Sequence, residues 1–272
     1  MQKGWDTIYS IRHLDDLSRM ESSVHRIHPV SKLLTTFVYL VVVVSFGKYE
    51  ISSLLPFFFY PVMIFAFSEI PVMPILKKLL LVSPFVLGIG ILNPFFDTQT
   101  FTAGGVIFSQ GWITFLSIVI KSMLTVTASI LLLATTGMDR LGAALRILKV
   151  PKLFVLQLLL TYRYISVLME EVGRMSTAYS LRAPGQRGIA FHAWGSFTGQ
   201  LLLRTFDRAQ HIYQSMTLRG FDGEYPTGVS SSEKRILTDI SYFVAWSSFF
   251  ILARIFNLPV LFEMLIKGGF SS

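Results

Sequence analysis

The longest apolar run of the chain lies at residues 113–136 and reads ITFLSIVIKSMLTVTASILLLATT. Its one charged residue is Lys121. A helix of about 24 residues rises roughly 36 Å at 1.5 Å per residue, which exceeds the hydrocarbon core of a bilayer, about 30 Å thick. The run therefore predicts a transmembrane helix, and it makes a membrane protein the first hypothesis for the whole chain.

Composition extends this prediction. Of the 272 residues, 52% are hydrophobic and 15% are charged, a balance that is typical of multi-span membrane proteins. We predict an all-α fold, a polytopic membrane protein with about five transmembrane helices and long amphipathic cytoplasmic coupling helices. The predicted spans are 31–46, 51–68, 79–96, 113–136 and 236–256. A short apolar segment at 258–266 is left open as an additional or re-entrant element.

The distribution of Lys and Arg predicts the orientation. With the N-terminus inside, five spans place 20 of the 24 basic residues in the cytoplasm and two outside, Lys48 and Lys267. This asymmetry follows the positive-inside rule. We therefore predict a multi-pass protein of the plasma (cytoplasmic) membrane, with the N-terminus and residues 138–235 in the cytoplasm. The lipid bilayer and acidic proteins are the expected partners of this basic face, and nucleic acid is not.

The predicted organisation has three regions. Residues 1–137 hold an N-terminal arm and transmembrane helices 1–4, residues 138–235 form the cytoplasmic coupling-helix region, and residues 236–272 form the C-terminal transmembrane helix and tail. We recognise no cleavable signal peptide, because charges interrupt the start of the chain before an apolar core forms. The first span is therefore the expected targeting signal.

Three helices are predicted within 138–235. A short amphipathic helix begins near Met138, with Asp139 as its N-cap. Two long amphipathic helices cover 152–181 and 196–218, where apolar residues recur at helical spacing among charged ones. A Pro-Gly pair follows the first long helix and Gly220 follows the second, and both are helix-stop signals.

The two long helices end in the same short pattern. Ser180-Leu181-Arg182-Ala183 closes the first and Thr217-Leu218-Arg219-Gly220 closes the second. Aligning the arginines also pairs Glu170 with Asp207 upstream. A cation at a helix C-terminus is favoured by the macrodipole, and the planar fork of Arg matches carboxylate geometry. For one arginine alone a simple helix-end charge is the better interpretation. As a pair, they predict two equivalent basic knobs that enter acidic grooves on partner proteins.

Other chemistry is missing from the sequence. There is no cysteine, no Walker nucleotide motif and no HExxH pattern among the five histidines. We therefore expect the chain to bind no metal and no cofactor, and any ATP to be bound by a partner. We identify acids near the spans only at span ends, Glu50 and Glu69, and accordingly predict no substrate pathway within the chain. Lys121 is predicted either to contact another subunit or to extend toward the outer surface, and Arg163 is a second candidate for an intersubunit contact.

At this point the chain resembles a known family over nearly its whole length. The two Arg patterns, His28-Pro29 with Lys32, Tyr162-Arg163-Tyr164 and Gly220-Phe221-Asp222-Gly223 resemble the transmembrane T component of energy-coupling factor (ECF) transporters. The stretch 141–223 is most similar to the cobalt and nickel branch. The family motif is usually Ala-Arg-Gly, so the arginines match here and their flanking residues differ.

The resemblance implies a set of partners. Arg182 and Arg219 would each dock into one of two cytoplasmic ATPase subunits (A components), which bind ATP and Mg. A separate membrane subunit, the S component, would bind the substrate, cobalt or nickel. The chain itself would be a non-catalytic scaffold.

Two other functions stay open on the sequence alone. A permease subunit of an ordinary ABC importer would need its own substrate path. A membrane-embedded lipid-modifying enzyme would need metal-binding carboxylates, or a nucleophile and a base, near the interface. The acidic pairs Asp15-Asp16 and Glu170-Glu171 are adjacent in sequence, so their side chains point to different sides of a helix.

Overall fold

The computed structural model describes residues 17–20, 22–92, 94, 100–103, 106–183, 185–186, 188–223 and 233–256. They fall into two compact units. One, the membrane unit, contains Leu17–Gly137 and the described part of Ser230–Ser272. The other, the hairpin unit, contains the described part of Met138–Val229. The acidic pair Asp15-Asp16 and the apolar segment at 258–266 lie outside the described residues.

Helices dominate both units. In chain order the elements are α1 (Pro29–Val44), a 3₁₀ helix (Ser52–Phe58) that continues as α2 (Phe59–Ser68), α3 (Val72–Gly90), β1 (Thr100–Ala103), β2 (Val106–Ser109), α4 (Gln110–Thr136), α5 (Met138–Ile147), α6 (Lys152–Arg182), a 3₁₀ turn (Phe191–Ala193), α7 (Trp194–Leu218) and α8 (Glu233–Phe256). The all-α prediction is confirmed, with one short antiparallel hairpin added between α3 and α4.

The set of candidate membrane spans differs from the predicted one. Among the described residues, four helices are long and apolar enough to cross a bilayer: Val72–Gly90, Gly111–Thr136, Lys152–Arg182 and Ile236–Phe256. The first two predicted spans form shorter apolar helices, Pro29–Val44 and Ser52–Ser68. Lys152–Arg182, which the sequence predicts as a cytoplasmic amphipathic helix, is also long and apolar enough to cross a bilayer. Its first half is mostly apolar, because most of its charged residues lie in its second half.

The third predicted span begins too late. Its helix starts at Val72 rather than at residue 79, so Lys77 and Lys78 lie inside α3 instead of before it. Pro71 precedes the helix in an extended conformation and Glu69 is left-handed, which places the turn upstream of the lysines. Long lysine side chains can extend along a helix to reach a polar region, so two charges in the second turn are compatible with an apolar helix.

Aromatic side chains form the centre of the membrane unit. Tyr39 of α1 is fully buried, and its ring lies 4.8 Å from that of Tyr60 and 5.2 Å from that of Phe250. The Tyr39 hydroxyl donates to the Phe57 carbonyl at 3.1 Å. Tilted and edge-on ring pairs at these distances add to the area they bury. They join α1, the 3₁₀–α2 segment and α8 in one core.

Candidate functional site

The repeated pattern lies at the two helix ends where the sequence predicts it. Arg182 is the last residue of α6, and Arg219 is the C-cap of α7. Both arginines are exposed. Within the described part of the chain, neither guanidinium has a hydrogen-bond or ion-pair partner. Both charges are therefore available to a carboxylate from outside this unit.

An exposed leucine accompanies each arginine. Leu181 is 77% exposed and Leu218 is 89% exposed. A single exposed leucine needs no explanation. Two at equivalent helix ends, each directly before an unpaired arginine, make matching surfaces that combine an apolar contact with a positive charge.

The two helix ends differ in backbone conformation. In α7 the amide of Phe221 donates to the Met216 carbonyl and the amide of Gly220 donates to the Thr217 carbonyl, both at 3.0 Å. This is a Schellman motif, in which the residue after the cap is left-handed, and Gly220 has φ +77°. In α6 the Ala183 amide donates to the Tyr179 carbonyl at 3.0 Å, and Ala183 has an ordinary φ of −123°. The Ala/Gly difference between the copies therefore has a structural cause.

One carboxylate ties α6 to α7. Glu171 accepts hydrogen bonds from Arg174 on its own helix at 2.7 Å and from Arg204 on α7 at 2.5 Å. Charge-assisted bonds of this kind are shorter and stronger than neutral ones. The connection between the helices is held separately, because the Tyr179 hydroxyl donates to Gln186 at 3.0 Å and accepts from the Ala190 amide at 3.3 Å.

An open groove of about 790 Å³ separates α6 from α7. Its basic lining consists of Arg163, Arg204, Arg208, Arg219 and His211, against the two carboxylates Glu171 and Asp207. Half-buried apolar side chains, among them Leu160 and Ile212, lie beside them. The two acids that the sequence aligns thus have different surroundings, since Asp207 lines the groove and Glu170 does not.

The short helix α5 packs closely on α6. A β-carbon at Gly142 would lie 2.8 Å from the Leu159 side chain, so the contact requires glycine or a shift of that leucine. Asp139 lies within the first turn of α5 rather than at the N-cap, which corrects the sequence prediction. A carboxylate in the first turn still favours the positive end of the helix dipole.

Lys121 is engaged inside the membrane unit. Its ammonium donates to the carbonyls of Phe46 at 2.7 Å and Gly47 at 3.1 Å, which follow the end of α1. Lys32, on the first turn of α1 and 3% exposed, donates to the Thr135 carbonyl at the end of α4 at 2.8 Å. Each lysine therefore donates to backbone carbonyls at, or just beyond, the C-terminal end of the neighbouring helix. The predicted intersubunit contacts of Lys121 and Arg163 stay predictions.

The sequence analysis missed Asp239. This aspartate lies in the first part of the fifth predicted span and is 9% exposed. Its carboxylate accepts a hydrogen bond from the His28 amide at 2.8 Å, directly before α1. His28 in turn accepts from the Val30 amide at 3.3 Å and caps the helix. An acid one turn inside an apolar run was the available signal, and its contact fixes His28 at the start of α1.

Metal ligation has no support in the described residues, where no group of three or more His, Asp or Glu side chains is close enough to hold an ion. The arrangement offers instead two exposed cationic helix ends on a tied helical hairpin. Together with the apolar helices, it defines a class: a polytopic helical membrane protein with an exposed basic surface on a helical hairpin.

Comparison with known families agrees with this class. Residues 20–228 match the CbiQ family, described as a cobalt transport protein. The chain belongs to this family, whose members are membrane components of ECF-type transporters and not enzymes.

Two relatives from Methanocaldococcus jannaschii are similar to the chain. The uncharacterized protein MJ1571 is 24% identical over 221 residues, which cover 76% of this chain and 74% of the relative. The uncharacterized protein MJ1089 is 33% identical over 104 residues, or 38% of this chain and 39% of the relative.

Proposed function

We propose that this chain is the T component of an ECF importer for cobalt or nickel. It couples two cytoplasmic ATPase subunits to a separate substrate-binding membrane subunit, the S component. The observation that carries the proposal is the pair of exposed Leu-Arg ends on α6 and α7. Two equivalent knobs suit an ATPase pair related by twofold symmetry, which presents two equivalent grooves.

Each knob has the chemistry of a docking contact. The leucine fills an apolar part of the groove on the ATPase subunit, while the arginine pairs with a carboxylate at the floor of that groove. Truncating one partner of such a buried ion pair costs about 2–5 kcal/mol. ATP and Mg are bound by the ATPase subunits, and this chain supplies no ligand to either.

Motion passes through the hairpin unit. The Glu171–Arg204 ion pair and the Tyr179 contacts hold α6 and α7 together, so displacement of one knob is transmitted to the other helix. On α7 the exposed side chains Leu202, Phe206 and Tyr213 fall on one face, spaced by four and seven residues. An apolar stripe on a basic helix suits a sliding contact with the S component.

The topology belongs to the same proposal. The N-terminus and residues 138–235 lie in the cytoplasm, where the basic residues are concentrated. Although α6 is long and apolar enough to cross a bilayer, its last 20 residues carry Arg163, Arg174 and Arg182, which favours a position along the inner surface.

Charge reversal of both knobs tests the proposal. The double variant Arg182→Glu and Arg219→Glu is expected to lose the ATPase subunits on co-purification and to lose metal uptake, while still inserting and retaining the S component. The matched control Lys149→Glu with Lys152→Glu reverses two charges of the same unit at the α5–α6 connection, away from the C-terminal ends of α6 and α7, and it is expected to keep the ATPases.

The same purification distinguishes the competing functions. Normal ATPase retention and uptake in the knob variant would overturn the proposal. Substrate movement by the chain and its ATPases without an S component would identify an ordinary importer permease instead. The metals that the whole complex takes up, cobalt, nickel or neither, decide the substrate.

A further inference from the structure

We propose that the α6–α7 groove binds the headgroup of an anionic phospholipid from the inner leaflet. The site consists of Arg163, Arg208 and His211 around the phosphate, with Leu160 and Ile212 against the start of the acyl chains. The inference rests on the proposed cytoplasmic position of the hairpin unit. The knob residue Arg219 also lines the groove, but it is neither one of the residues assigned to the headgroup nor changed in the test.

Charge is the first argument. Arg204 is neutralised by Glu171 at 2.5 Å. In formal charge the lining carries four arginines against the two carboxylates Glu171 and Asp207, so the groove is positive as a whole. The side chains of Arg208 and His211 are exposed. Each basic side chain near a membrane surface raises the binding affinity for anionic lipid about fivefold.

The apolar lining is the second argument, and it selects lipid over a soluble anion. A groove of about 790 Å³ is far larger than a phosphate ion, and half-buried leucine and isoleucine side chains would gain nothing from inorganic phosphate. A phospholipid uses both kinds of lining, because its phosphodiester pairs with guanidinium groups while its chains cover the apolar side chains.

The position of the groove on α6 is the third argument, and it favours lipid over an acidic protein segment. The lining residues of α6 run from Leu160 to Glu171, within the helix that is long and apolar enough to enter a membrane, Lys152–Arg182. The groove therefore begins on an apolar helical surface that suits acyl chains and continues to the basic residues.

Lipid retention by the full-length protein tests the site. The purified chain is exposed to equal amounts of phosphatidylglycerol and phosphatidylcholine in detergent, and bound lipid is counted by native mass spectrometry. The wild type is expected to retain phosphatidylglycerol preferentially. Arg208→Gln should weaken this binding about fivefold, and Arg163→Gln with Arg208→Gln about 25-fold. Lys149→Gln, which removes one charge of the same unit outside the groove, should leave it unchanged.

Cysteine labelling provides a second measurement that needs no change of charge. The chain has no cysteine, so Ser215→Cys in the groove and Gln210→Cys outside its lining give clean single sites. In phosphatidylglycerol nanodiscs the maleimide reaction of Ser215→Cys should be at least fivefold slower than in phosphatidylcholine nanodiscs. The reaction rate of Gln210→Cys should be the same in both.

Three results would overturn the lipid assignment. They are equal phosphatidylglycerol retention by the wild type and the double arginine variant, displacement of the lipid by soluble glycerol phosphate at equal concentration, and protection of Ser215→Cys by an acidic peptide but not by lipid. ATPase co-purification with the Arg163/Arg208 variant is measured in parallel. Because the knobs are intact in that variant, loss of lipid with retained ATPases separates this inference from the coupling proposal.

Discussion

Gly220 and Ala183 occupy equivalent places in the repeated pattern, yet only one of the two positions requires glycine. Gly220 has φ +77° in a Schellman motif, whereas Ala183 has φ −123°. A β-carbon in the left-handed region approaches the following carbonyl oxygen, which is costly for every residue except glycine. The sequence difference between the copies is therefore a requirement of the backbone.

This difference makes a prediction at the residue scale. Gly220→Ala should destabilise the last turn of α7 by about 1 kcal/mol. Hydrogen–deuterium exchange of the peptide that contains Met216 and Phe221 should be about fivefold faster. Ala183→Gly is the matched control at α6, where no left-handed residue is needed. A slower or unchanged exchange in Gly220→Ala would contradict the assigned cap.

At the scale of elements, the hairpin of α6 and α7 depends on a few polar contacts. Glu171 bonds to Arg204 across the helices, and the groove continues beside that ion pair toward Arg219. The ion pair joins the two helices at this level, and we expect it to limit how far apart they lie.

Removing this carboxylate's charge should loosen the hairpin. In Glu171→Gln, spin labels on Ser166→Cys and Ser215→Cys are expected to give a broader and longer distance distribution than in the same labelled chain with Glu171 intact. Asp207→Asn is the control, because it removes a groove carboxylate that has no ion pair in the described residues. An identical distribution in both variants would show that the Tyr179 contacts alone hold the hairpin.

At the scale of the whole molecule, the membrane unit contains a reciprocal pair of lysine contacts. Lys32 reaches Thr135 from α1 to α4, and Lys121 reaches Phe46 from α4 to α1. In both segments the lysine and the accepting carbonyl are 14 residues apart in sequence, Lys32 and Phe46 in one and Lys121 and Thr135 in the other. The two antiparallel helices are thus joined at two levels, and the Thr135 carbonyl in the last turn of α4 obtains a donor that it lacks within the helix.

The buried lysine gives a stability prediction at this scale. Lys32→Met leaves the Thr135 carbonyl without its ammonium donor in the interior, which should cost about 1–3 kcal/mol. Lys48→Met changes an exposed lysine that lies over the Tyr49 ring, and it should alter stability by about 0.5 kcal/mol or less. Thermal unfolding in detergent measures both, and equal midpoints for the two variants would contradict the role assigned to Lys32.

Local pattern determined much of this protein. Apolar runs and helical spacing predicted the helical class, α4, α6, α7 and α8, because a helix satisfies its own backbone hydrogen bonds wherever the residues allow it. The repeated Leu-Arg ends were also readable, since a helix end depends on a few neighbouring residues. Boundaries were less certain where proline and lysine give opposing signals, as at the start of α3.

Tertiary structure alone decided which distant groups meet. No spacing in the sequence indicates that Lys121 bonds to Phe46, that Asp239 holds the start of α1, or that Glu171 selects Arg204 on the next helix. These partners are set by how helices pack, and the packing depends on burial summed over many side chains. The sequence by itself therefore determined the helices and the two exposed arginines, while the folded chain decided what each buried charge bonds to and how the groove between α6 and α7 is lined.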